Sequence, residues 1–174
     1  MKKLIIIICF FAVLLGIGFT ALYLFYDGTK INEIQLSDFG SGSGIVNQAS
    51  LYEAAHKEPG RFSYGGCEEF PGGRDSDYIS FQIYAKVKTK RISDYCVTVS
   101  DFGADAARWL YVDHFYGNNT ACTVTMYRKG LSDEAILKAL KELKLNFCYS
   151  FHGKAKYIPF RITDADIEHM DRPD

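Results

Sequence analysis

The sequence predicts an α+β protein. It reads as a four-stranded antiparallel meander packed on a helix, with a C-terminal β-hairpin, preceded by one N-terminal transmembrane helix. Three observations lead there. An uncharged apolar run extends from Leu4 to Tyr26, apolar and polar residues alternate strictly over 78–88, and an amphipathic stripe occupies 133–145.

The apolar run comes first. Its 23 residues would form a helix of about 34 Å, against about 30 Å of membrane hydrocarbon. Met1-Lys2-Lys3 precedes it, and the positive-inside bias then leaves the N-terminus in the cytoplasm and the remainder outside. A cleaved signal peptide is the competing reading, with Leu4–Leu15 as its apolar core and Gly16-Ile17-Gly18 as a small-residue cleavage site. Cleavage there would expose Phe19 to Tyr26 as a greasy new terminus, so a span containing those residues is preferred, with secretion the outcome of cleavage. Ile7 and Ile8 before Cys9 exclude a lipidation signal.

The rest of the chain falls into three parts. Residues 27–44 form a juxtamembrane lead, with a short strand as one option, ending in the flexible linker Gly40-Ser41-Gly42-Ser43-Gly44. Residues 45–163 form one exported domain, and 164–174, with five acids against one base, form a solvated acidic tail. A chain of 174 residues leaves room for a single ordinary domain. Lys plus Arg number 20 and Asp plus Glu 21, a net charge of −1 that argues against nucleic acid as a partner.

Within the domain, Ser50-Leu51-Tyr52-Glu53 has the form of a capping box, opening a short helix stopped by Pro59-Gly60. Residues 60–77 carry five glycines and a proline and read as a loop. Strands near 78–88, 92–101, 107–116 and 120–128 then follow across short turns. If each turn reverses the chain, Leu110, Val112, Cys122, Val124 and Met126 join Ile79, Phe81 and Ile83 on the core face. Tyr95, Trp109, Tyr111 and Tyr127 then centre the opposite face. A single bulge would exchange parts of these lists. Ser132 caps the next helix, Leu131 staples onto Ile136, and Ile136, Leu137, Leu140 and Leu143 form its apolar stripe. A hairpin of 147–152 and 155–162 follows, with Pro159 marking an edge strand, and Thr163 caps a last acidic turn.

An exported domain makes Cys67, Cys96, Cys122 and Cys148 disulfide candidates. In a meander Cys96 and Cys122 stand two strands apart, beyond disulfide reach, so each is expected to pair with Cys67 or Cys148 instead. The histidines His56, His114, His152 and His169 show no metal-ligand spacing, and no nucleophile elbow or carboxylate pair is present. Catalytic residues, cofactor and metal are therefore not expected.

Two features suit recognition. One is the aromatic face of Tyr95, Trp109, Tyr111 and Tyr127, if it is not covered as a second core layer. The other is the glycine-rich loop with Arg61, Tyr64, Glu68, Glu69 and Arg74, for which a plain connector is the alternative. Lys86, Lys88, Lys90 and Arg91 read as a soluble hairpin tip, with a lipid-headgroup contact as the other option. The expectation is a non-catalytic, membrane-anchored module that binds a protein partner at the envelope, an inhibitor or immunity-type protein being one form. An accessory factor of an envelope machine and an enzyme of unrecognised type are the alternatives. Nothing in the sequence sets the oligomeric state.

Overall fold

A computed structural model describes residues 2–38, 45–57, 62–66, 71–89, 92–114 and 120–171. Helix α1 (Lys2–Phe25) carries no charged residue after Lys3, and its stretch Ile7–Phe25 is long and apolar enough to cross a membrane. Among the described residues eight strands follow: β1 (Lys30–Asp38), β2 (Phe62–Gly66), β3 (Tyr78–Lys88), β4 (Ser93–Asp101), β5 (Trp109–His114), β6 (Ala121–Tyr127), β7 (Lys144–Phe151) and β8 (Lys154–Phe160). Between and after them lie α2 (Ile45–Lys57), α3 (Asp133–Glu142) and α4 (Asp164–Glu168).

The α+β class, the antiparallel pairing and the apolar N-terminal helix agree with the sequence reading, but the four-stranded meander does not. Five strands form one antiparallel sheet in the order β1-β3-β6-β5-β2, and three form a second in the order β4-β7-β8. Of the three neighbour pairings a meander needs, β5 with β6 alone is made. The reason lies in the flanks of β3. Both are taken, by β1 on one side and β6 on the other, so β4 leaves for the second sheet. The chain returns through a 3-10 turn, Gly103–Arg108, whose first residue has φ of +70° and would place a Cβ 2.8 Å from Glu142 Cβ.

That return also sets the facing of β5. Trp109 lies opposite Met126 and Tyr111 opposite Val124, so both point into the core, while Leu110 and Val112 point the other way. The expected parity is reversed for this strand. Phe81, Ile83, Trp109, Val124 and Met126 on one sheet meet Val97, Leu145 and Phe147 on the other, and α3 adds Ile136, Leu140 and Leu143. On the far side of the larger sheet, α2 packs over β2 and β5. Beneath it Tyr78, Leu110 and a buried hydroxyl pair, Ser80 with Thr125 at 2.8 Å, complete a second layer. Neither hydroxyl is left without a partner, which is the condition for burying it cheaply.

Local signals account for most remaining ends. Ser132 Oγ accepts the Ala135 N–H and starts α3, which ends at Glu142, short of the expected Leu145, because β7 begins at Lys144. The β7–β8 hairpin turns on His152 and Gly153, both with positive φ, as a two-residue turn of primed type demands. Pro159 lies on β8, an edge strand, as expected. Helix α2 begins at Ile45, so Ser50 and Glu53 sit inside it and form no N-terminal box. Part of the expected 60–77 loop is strand β2, and the optional strand after the apolar run is a nine-residue edge, β1. The acidic end is partly docked. Thr163 and Asp166 cap α4, Met170 is buried, and Asp171 exchanges backbone hydrogen bonds with Leu36 and Asp38.

Candidate functional site

Two places combine chemistry with access. The first is a cleft of about 730 Å³ between the sheets. Its cause is a difference in strand length. Strand β6 stops pairing with β3 at Tyr84–Ala121, one further bond runs from the Ala85 N–H to the Thr120 carbonyl, and β3 continues to Lys88 beside β1. The other wall comes from Ile92, Tyr95 and Phe147, with the Tyr95 and Phe147 rings 6.0 Å apart. Gln35, Tyr84 and Lys86 supply polar groups at the rim, the Tyr84 hydroxyl bonded to Gln82 and Lys86 to Glu33 at 3.1 Å. Aromatic walls with a few placed polar groups suit binding.

The second place is the junction of α1 with the domain. The Asp27 carboxylate, with its side chain 12% exposed, accepts from Tyr149 Oη at 2.8 Å, Lys156 Nζ at 2.7 Å and the Thr29 N–H at 3.2 Å. Burial alone would raise its pKa. The donated hydrogen bonds, led by that of Lys156, outweigh burial and hold it at about 2. Burial and the adjacent carboxylate push Tyr149 up to about 12. His152 Nε2 lies 2.7 Å from the Leu24 carbonyl oxygen, a second tie to the last turn of α1. Asp101, bonded to Lys144 and to the Gly103 N–H, is also lowered. All three shifts arise in contacts that hold elements together.

The sequence-derived candidates scatter. Trp109 (0% exposed) and Tyr111 (6%) are core, the Tyr111 hydroxyl donating to the Val97 carbonyl at 3.2 Å. Tyr127 is half-buried against Tyr78 on the α2 side, and Tyr95 alone of the four lines the cleft. No single aromatic face exists. Arg74 is exposed at the start of the 3-10 turn Asp75–Asp77, its N–H bonded to the Asp77 carboxylate. Tyr64 stands on β2 opposite Val112, while Arg61, Cys67, Glu68 and Glu69 lie outside the described residues. No disulfide joins Cys9, Cys96, Cys122 or Cys148 in the structure. Cys96 and Cys122 belong to different sheets, so the expected two-strand spacing does not describe them, and Cys96 stands directly opposite Cys148 across β4 and β7. Among the described residues no three His, Cys, Asp or Glu side chains gather as a metal-binding group.

Sequence reasoning missed the junction. Its signal was Asp27, the first charge after the apolar run, but its partners lie more than 120 positions later. The arrangement defines a class: two packed antiparallel sheets fastened to the end of an apolar helix. No family model, curated protein or solved structure matches the chain.

Proposed function

We propose that the protein is a non-catalytic binding module, held in the membrane by residues 4–26 with Lys2 and Lys3 in the cytoplasm. The domain then lies outside the cytoplasm, periplasmic or extracellular, and engages a protein partner. An inhibitor or immunity-type protein that neutralises a toxin is the concrete form. The observation that carries this reading is the inter-sheet cleft, whose lining joins Tyr95 and Phe147 to Ala85 and Val87, with Gln35, Tyr84 and Lys86 at its edge. Rigid aromatic groups in a concave site edged by polar groups are what protein recognition uses at its energetic centre. In an oxidising compartment the opposed Cys96 and Cys148 form a disulfide, since directly opposed antiparallel positions lie within the span of that bond.

The test is cross-linking of intact membranes containing the chain at native level, with and without Tyr95→Ala. One stoichiometric partner, lost about tenfold or more in the variant while the fold is kept, is the expected result. A set of envelope-machine components captured equally by both chains would transfer the reading to an accessory factor. Capture of no partner would end the binding reading and direct attention to enzymatic chemistry.

A further inference from the structure

We infer that the junction between α1 and the domain is a binding site for the headgroup of an anionic phospholipid. The inference rests on α1 spanning the membrane, which is part of the function proposed above. A cavity of about 660 Å³ lies at this junction. Its apolar wall is built from Phe19, Tyr23 and Tyr26 on one side and Phe151 on the other. Phe19 lies six residues before the end of α1, about 9 Å along the axis, so the domain reaches down beside the helix to the depth of the membrane interface. Aromatic rings at that depth are the usual interfacial anchors.

The upper rim is cationic. Lys30 and Lys88 are Cα partners at the end of the β1–β3 pairing, so their side chains leave the sheet on the same side, and both are exposed. Thr29 and Thr89 hydroxyls stand 3.2 Å apart next to them. Asp27 is the acid at this rim, and it is bonded to Lys156. Among the described residues no carboxylate forms an ion pair with Lys30 or Lys88. Two lysines above an aromatic wall, at the edge of a membrane span, match a phosphate above its acyl chains. A zwitterionic headgroup brings its own cation and matches less well.

The test uses the full chain in vesicles of equal parts phosphatidylcholine and phosphatidylglycerol. Detergent extraction and native mass spectrometry then count the lipid retained. The expected result is retention of phosphatidylglycerol over phosphatidylcholine by about tenfold, the scale of two partly screened lysines. Lys30→Gln with Lys88→Gln brings that ratio near one, while Lys138→Gln, at an exposed position on α3, leaves it high. Equal retention of the two lipids overturns the inference, as does an unchanged preference in the double variant. Displacement by soluble glycerol phosphate also overturns it, by showing a site for free phosphate. Alkaline carbonate separates the two failures: a chain it releases from vesicles does not span, and the proposed anchoring fails with the lipid site. A chain that stays integral without a lipid preference overturns the lipid site alone.

Discussion

Asp27 puts a pH dependence into the fold. Its carboxyl titrates at about 2 folded and 3.8 unfolded, so its contribution is complete above pH 4 and is lost as pH falls toward 2. Allowing for the exposure of Lys156, that contribution is about 1–2 kcal/mol. Denaturant titrations of wild type and Asp27→Asn therefore converge between pH 4 and pH 2. Tyr149 acts at the other end. Its folded value of about 12 exceeds 10.0, so stability is whole below pH 10 and declines as pH rises toward 12, a decline that Tyr149→Phe removes. Trp109 is fully buried and its Nε1 meets no acceptor among the described residues. Trp109→Ala should cost about 3–5 kcal/mol in a denaturant melt, and Trp109→Phe distinctly less, because the phenyl ring leaves no orphaned donor. Burial of Trp109 was not legible in the sequence. Its neighbours alternate, and alternation says which residues share a face without saying which face is inside. Gly66 was equally silent, though a Cβ there would fall 1.8 Å from the Trp109 carbonyl oxygen.

Elements were legible where the signal was local. Ser132, the stripe of α3, the β7–β8 hairpin and the edge position of Pro159 all follow from neighbours within a few positions. Pairing failed where partners are remote. The sequence around β1 carries few apolar residues, and its role emerges in long-range register with β3, which displaces β4 from the sheet. Two predictions sit at this scale. Ser132→Ala removes the bond to the Ala135 N–H and should lower stability by about 1 kcal/mol, read as a shift in the melting midpoint. Thr125→Val leaves the Ser80 hydroxyl without its partner and should cost about 1–3 kcal/mol. Adding Ser80→Ala should recover part of that loss, and a double-mutant cycle measures the coupling.

For the whole molecule, the opposed Cys96 and Cys148 tie the proposed location to a chemical observable. Two thiols give up two protons and two electrons, a sulfur–sulfur bond forms, and a disulfide-bearing oxidant is reduced to its dithiol. Peptide mapping without reductant should then find Cys96 joined to Cys148 in exported protein. A Cys96–Cys122 bridge would count against the Cys96–Cys148 pairing, and two alkylatable thiols at 96 and 148 would count against an oxidising location. The Asp27 clamp has a mechanical meaning as well. It joins the end of α1 to Tyr149 and Lys156 on two adjacent strands, and His152 grips Leu24 beside it. A single covalent link would be a swivel, free to turn under load. These contacts make a bracket with several fixing points, so any force applied to the far side of the domain would become a torque on the helix. With α1 spanning a bilayer, as proposed, such a load would tilt the helix before it stretched the chain.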